Sequence, residues 1–249
     1  MRVNIYQIDS EKDANRTKFR DFKHASEYGE IDPSIYKCVF RGVITGEDLE
    51  DVYEAFNLYD RDYLGTYQGH SLSMSDVVEL EEDVASSRGA ITQKGCYFCD
   101  SVGFKNIKFD SSKCAPMNGL RTLMILPGQK PIETRVEDSL ESWQKAVSLR
   151  GEDSMMEVTY PFEDSAVVVG NEEAKLIGMQ GNRRFGDSIY AGPLYIVSDD
   201  GYGGFCDLSD EQVEEYSKMF ETPEEITPDE VQGDVGFRII GFNMQEPSD

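Results

Sequence analysis

Basic residues are scarce in this chain. Its 249 residues hold 24 Lys+Arg against 48 Asp+Glu, a formal charge of -24 at neutral pH. That shortage disfavours a polyanionic partner, because binding nucleic acid or an anionic bilayer needs Lys and Arg to displace counterions. Histidine is scarcer still: only His24 and His70 are present, so imidazole chemistry has few candidates. The five cysteines, Cys38, Cys96, Cys99, Cys114 and Cys206, are odd in number and mostly dispersed, unlike the disulfide framework of a small secreted domain. No apolar run approaches the ~18 residues of a membrane helix. The start, Met1-Arg2-Val3-Asn4-Ile5-Tyr6, lacks the apolar core of a signal peptide. The expectation is a cytoplasmic protein, without a membrane or direct nucleic-acid partner, whose charge suits a basic protein surface.

What is present is ample core material. Hydrophobic residues make up 39%, with 13 Tyr and 13 Phe, too aromatic for a disordered acidic chain. The length allows one large domain or two small ones. Patterning favours an α+β fold of two small domains, each a mostly antiparallel sheet with one or two helices. The expected divisions are residues 1–110, a linker at 111–119, a second unit at 120–222, and an acidic connector with a final strand at 223–249.

In the first unit, Val3, Ile5 and Ile8 mark an opening strand and residues 35–40 a second. Phe19, Phe22 and Ala25 recur at helical spacing, with Gly29 as the stop. Thr45, with Asp48 three residues on, is read as capping a helix whose apolar face is Leu49, Val52, Tyr53 and Phe56. Residues 76–80 and 96–99 are short strands, and 110–119 has linker composition.

In the second unit, a strand at 122–126 ends at Pro127-Gly128, and alternating Ile132, Thr134 and Val136 form its hairpin partner. Asp138 with Glu141 is read as the cap of a helix through Leu140, Trp143, Gln144 and Val147. Strands follow at 155–160, 166–169 and 194–197. Ser209 with Gln212 is a capping box for a helix burying Val213, Tyr216 and Phe220. Pro223 and Pro228 break up the acidic connector, and residues 236–242 form a last strand.

Both halves resemble known families. Gly69-His70-Ser71-Leu72-Ser73-Met74-Ser75-Asp76-Val77-Val78, then Tyr97-Phe98-Cys99-Asp100-Ser101-Val102-Gly103-Phe104, resembles the YodL domain, and Leu49-Glu50-Asp51-Val52-Tyr53-Glu54-Ala55-Phe56-Asn57 fits the same pattern. The second half is similar to an uncharacterised domain-of-unknown-function family carried by phages, plasmids and conjugative elements. The matching pieces are Tyr160-Pro161-Phe162-Glu163-Asp164, Asn171-Glu172-Glu173-Ala174-Lys175-Leu176-Ile177-Gly178, Asn182-Arg183, Gly192-Pro193-Leu194-Tyr195-Ile196-Val197 and Leu208-Ser209-Asp210-Glu211-Gln212. That family usually has Gly where this chain has Ala174. The resemblance implies a mobile-element protein in a bacterial host cell, among genes that counter host defence. It implies no reaction.

Candidate chemistry is weighed against structural explanations. Cys96-x-x-Cys99 is one pair where a structural zinc site needs four ligands, so buried reduced thiols are expected. His70 with Ser71, Ser73, Ser75 and Asp76 contains the residue types of a nucleophile and base, yet a turn with hydroxyls on local backbone suits the spacing better. Gly201-Tyr202-Gly203-Gly204 lacks a phosphate-loop signature and reads as a tight turn. Asp199, Asp200, Asp207 and Asp210 lack the spacing of a calcium loop. No catalytic residue, metal or cofactor is assigned.

Two clusters remain. Asn171, Glu172, Lys175, Asn182, Arg183 and Arg184 could hold a phosphate or carboxylate. Asp210, Glu211, Glu214, Glu215, Glu221, Glu224, Glu225, Asp229 and Glu230 form the densest acidic set, in a tail from residue 199 that holds 15 acids and 2 bases. A folded row of carboxylates can imitate the phosphate lattice of DNA. The leading expectation is a non-enzymatic anti-defence inhibitor that blocks a basic site on a host nuclease or other defence protein. The alternatives are a binder sequestering a phosphorylated small molecule or nucleotide signal, and an uncharacterised enzyme.

Overall fold

The computed structural model describes residues 1–58, 63–148 and 154–235. Its first unit is a six-stranded sheet of β1 (Arg2–Ile8), β2 (Tyr36–Ile44), β3 (Tyr63–Leu64), β4 (Val77–Leu80), β7 (Gly95–Cys99) and β8 (Phe104–Ile107). The order is β3-β2-β1-β4-β7-β8, and every neighbouring pair is antiparallel. A ribbon of β5 (Val84–Ala85) and β6 (Ile91–Thr92) stands off the sheet. Strand β1 alternates regularly, with Val3 and Ile5 facing one core and Tyr6 and Ile8 the other. The register shift opposite Ile5 and Tyr6 leaves Val39 extra on β2, so that Cys38 and Phe40, two residues apart, enter different cores.

Helix α2 (Leu49–Ala55) covers the first of these faces with Val52, Ala55 and, just past its end, Phe56. Its cap is Asp48, which accepts from the Asp51 amide at 3.0 Å, and not the expected Thr45. Helix α1 (Phe22–Ala25) is shorter than the spacing implied. Phe19 lies outside it, 49% exposed, with a left-handed φ of 62°. The expected linker is packed: Ala115 bridges to Lys37, and Met117 is buried against Tyr36 and Phe98.

The second unit is built on β9 (Leu120–Ile125), β10 (Ile132–Val136), β11 (Met156–Thr159), β12 (Ala166–Asn171), β15 (Leu194–Asp199) and β16 (Phe205–Cys206). The order β10-β9-β15-β12-β11, with β16 on β15, is again antiparallel. Strand β12 is buried at every position; such a continuous apolar run marks a strand covered on both faces. Val167 and Val169 meet Trp143 of α3 (Leu140–Ala146), while Ala166 and Val168 meet Tyr216 and Phe220 from the region of α4 (Asp210–Met219). The cap of α3 is Ser139, accepting from the Ser142 amide at 3.2 Å, rather than Asp138, and Leu140 is exposed.

A hairpin of β13 (Gly181–Phe185) and β14 (Ser188–Ala191) packs with α5 (Pro228–Gly233) around Ile189, Ile226 and Val231. Pro228 therefore opens a helix instead of breaking the chain, as its fixed φ suits a first helical position. The expected strand at 236–242 lies outside the described residues. Ala174 is buried where the family usually has Gly, and the left-handed position of that turn is Gly178.

The two units touch. Val43 of β2 packs on the Trp143 core, the Thr66 hydroxyl donates to the Arg135 carbonyl at 3.0 Å, and Arg2 reaches the Lys130 carbonyl. Among the described residues no helix is long and apolar enough to cross a membrane.

Candidate functional site

Helix α4 presents the acidic set on a fixed support. Ser209 and Gln212 form the expected capping box, and Tyr216 and Phe220 anchor the inner face. The Tyr216 hydroxyl also donates to Asp164 at 2.7 Å. On the outer face Glu211, Glu214 and Glu215 are exposed and form no ion pair among the described residues. The rest of the set divides. Asp210 pairs with Arg121 at 2.5 Å and Glu221 with Lys130 at 3.4 Å. Glu224 and Glu230 hold Arg184 at 2.9 and 2.8 Å, and Glu230 also accepts from the Thr227 amide and hydroxyl. Glu225 and Asp229 are exposed. The nine acids thus divide into an open triad on α4, four carboxylates that answer local bases, and exposed Glu225 and Asp229, which hold no base among the described residues.

The polar cluster at 171–184 separates. Asn171 is buried and turns the chain, accepting from the Glu173 amide at 2.8 Å. Glu172 is exposed, and Lys175 pairs with Asp234 at 2.6 Å. Asn182 is fully buried, its amide donating to the carbonyls of Ile125 and Gly192. Arg183, 1% exposed, donates to the carbonyls of Asn182, Gln129 and Phe220 at 2.9, 2.8 and 3.3 Å, leaving its Nε without a partner. Burial lowers its pKa, partly countered by Glu224. Of the six residues, Arg183 and Arg184 alone line an open cleft of about 710 Å³, whose walls include Tyr160, Phe162, Phe185 and Phe220. The cleft is aromatic with a cationic edge, but Arg184 is already neutralised.

In the first unit the turn at 69–78 is more than a local arrangement. The Ser73 hydroxyl does bond nearby backbone, donating to the Ser71 carbonyl at 3.0 Å. Asp76, however, is fully buried and accepts from the Ser73 amide at 2.8 Å and the Gln7 side chain at 3.0 Å, while its second oxygen has no partner. Burial raises its pKa to about 8 despite these donors. His70 Nδ1 lies 4.0 Å from Asp76 and 2.8 Å from the Ser71 carbonyl. The Gln7 side-chain nitrogen also lies 3.2 Å from Nδ1, so a donor and an acceptor compete for that one atom, while Nε2 is buried without a partner. Gln7 escaped the sequence reading; its signal was a polar residue inside an apolar strand. Ser75 was among the hydroxyls expected to bond local backbone, but its oxygen accepts from the Phe19 amide at 2.9 Å, remote in sequence.

Cys96 and Cys99 are buried, with burial pushing both thiols up to about 12. Three positions apart on a strand, they point to opposite faces, and Cys96 shares its core with Phe98 while Tyr97 faces the other. Two such thiols cannot chelate one ion. Among the described residues no group of three or more His, Cys, Asp or Glu could hold a metal. The Gly201–Gly204 stretch is a turn tied by Asp200, which accepts from the amides of Tyr202 and Gly204 at 2.7 and 3.0 Å.

Residues 2–109 match the family model of the YodL-like domain, and residues 120–221 match that of a domain of unknown function, DUF3846. Comparisons with curated proteins and with solved structures gave no match. The chain carries a YodL-like domain followed by a DUF3846 domain.

Proposed function

We propose that this protein is a non-enzymatic interaction protein whose α4 face docks on a basic site of a partner protein and so denies that site to nucleic acid. One observation carries the reading: Glu211, Glu214 and Glu215 stand exposed and unpaired on a helix fixed by its capping box and by buried Tyr216. Rigid carboxylates at helical spacing give electrostatic complementarity without a large ordering penalty. Neighbouring bases neutralise Asp210, Glu221, Glu224 and Glu230, which makes the triad the focus of contact. The mobile-element setting implied by the resemblance of the second half favours a host nuclease or other defence protein as partner. The test is capture from a defence-bearing bacterial lysate at low and high salt. Charge-led association is screened beyond ~8 Å at physiological ionic strength, so added salt should slow association. Glu211→Lys, Glu214→Lys and Glu215→Lys together should abolish capture with the fold intact. Normal capture by the triple variant removes the reading.

A second reading rests on the cleft beside Arg183 and Arg184. Its aromatic walls and cationic edge suit a planar, anionic small molecule such as a nucleotide signal. A thermal-shift panel of nucleotides tests it: a ligand at 100 times its dissociation constant adds about 2.7 kcal/mol. Absence of any shift rejects sequestration at this cleft.

A further inference from the structure

Residues 16–20 read Arg-Thr-Lys-Phe-Arg, three bases in five positions of a chain with twice as many acids as bases. All but the buried Thr17 border a cleft of about 490 Å³ in the first unit, together with Ser10 and Asp13. Most arginines elsewhere are answered. Arg2, Arg121, Arg135 and Arg184 each hold a carboxylate, whereas Arg16 and Arg20 hold none among the described residues. The cleft's own acid, Asp13, is turned to internal work, accepting from the Thr17 amide, the Thr17 hydroxyl and the Lys18 amide at 2.9 Å each. Three cations against this one carboxylate leave the side-chain charge at the cleft positive.

The loop is strained and firmly held. The only non-glycine residues with positive φ among the described ones are Arg16 (54°), Phe19 (62°) and Ser75 (74°). All three belong to one assembly, since the Phe19 amide donates to Ser75 Oγ at 2.9 Å. The Phe22 amide donates to Asp100 at 3.0 Å, and the Arg20 amide to the Thr17 carbonyl at 3.0 Å. Left-handed backbone at bulky residues persists only where the surroundings over-determine it, and it concentrates at ligand sites. The strain here holds Phe19 half in solvent, its ring 5.0 Å from that of His70, with the Lys18 ammonium 5.4 Å above it.

We propose that this cleft is an oxyanion site for the phosphate of a small phosphorylated ligand. Arg16 and Arg20 supply planar forks for bidentate bonding, Lys18 a third cation, and Phe19 an apolar wall. Three cations suit a phosphate dianion better than a single carboxylate. The chain's charge of -24 repels a long polyanion, so the ligand is small. No residue is shared with α4 or with the Arg183 cleft, so this assignment stands or falls separately from both.

The full chain, ¹⁵N-labelled, is titrated with inorganic phosphate, pyrophosphate and a nucleoside monophosphate, with chloride at matched ionic strength as reference. Saturable amide shifts confined to residues 10–20 and 70–76 are expected. Tighter binding of the nucleotide than of inorganic phosphate would identify Phe19 as a stacking wall; equal binding would identify phosphate alone as the determinant. Arg16→Gln with Arg20→Gln should weaken binding at least about tenfold per arginine, Arg16→Lys with Arg20→Lys should weaken it less, and Arg184→Gln should leave it unchanged. The proposal is overturned by no saturable shift with any probe, by equal shifts with chloride, by shifts at Arg183 and Arg184 with none at residues 10–20, or by full binding in the glutamine pair.

Discussion

Both halves of the chain bury an antiparallel sheet on both faces, but they place ionisable groups in opposite ways. Residues 1–118 carry a net charge of -7, and the first unit seals an acid, Asp76, beneath a strained basic loop. The remaining residues carry -17, and the second unit seals a cation, Arg183, against backbone carbonyls while its free acids face solvent on α4. A buried guanidinium can satisfy carbonyls at the ends of several turns at once, and the surrounding negative charge supports it. A buried carboxyl has no such support in an acidic chain, and among nearby charges Lys18 is the one that lowers the pKa of Asp76. The basic loop and the buried acid are in that sense one device, whereas α4 and Arg183 have separate tasks.

The comparison breaks most sharply at the cores. Trp143 is the sole tryptophan, 2% exposed, so its fluorescence reports the second unit alone. Trp143→Ala and Phe98→Ala should each cost about 3–5 kcal/mol. Because Val43 and Thr66 link the units, Phe98→Ala should also shift the Trp143 fluorescence transition in urea. An unmoved transition would mean that the halves unfold independently.

Asp76 gives the next effect, with a defined sign. Its folded pKa is raised from 3.8 to about 8. Its contribution to stability is therefore complete below the unfolded value and is lost as pH rises through the folded one. Each unit of difference is worth about 1.4 kcal/mol, so Asp76→Asn should gain on the parent by roughly a few kcal/mol between acidic and mildly alkaline pH. Urea titrations across that range should show the two stabilities diverging; parallel curves would refute a buried, destabilised carboxylate.

Arg183→Met should cost about 2 kcal/mol, since it strands the buried carbonyls of Asn182 and Phe220. A change near zero would mean that the guanidinium is dispensable to the fold, which would strengthen the case for a ligand role at its cleft. Ser209→Ala should cost about 1 kcal/mol through loss of the α4 cap. The triple lysine reversal on α4 should cost no more than about 1 kcal/mol, because all three side chains are exposed and Glu211 alone bonds the helix start, at the Ser209 cap.

The elements were largely readable because their signals are local. Strict alternation marked β10, an unbroken apolar run marked β12, and Ser209 with Gln212 marked the start of α4. Errors fell where two polar residues competed for one cap, as with Thr45 and Asp48 or Asp138 and Ser139. The first-turn amides choose among such neighbours by geometry, which spacing does not encode. Of the site residues, the open α4 triad was visible from the helix period, while the partners that neutralise Asp210, Glu221, Glu224 and Glu230 were not.

Composition and pattern by themselves determined two α+β units, an acidic outer face on α4 and buried cysteines, because burial and helical phase follow from residue type and spacing. Tertiary structure alone decided that Arg183 turns inward while Arg184 meets two carboxylates, that Cys96 joins the core of Tyr36 and Phe98, and that Phe19 rests on Ser75 beside a cleft of unpaired arginines. Each of these outcomes depends on groups brought together by chain closure from distant positions, and the charge or desolvation that results belongs to the assembled fold.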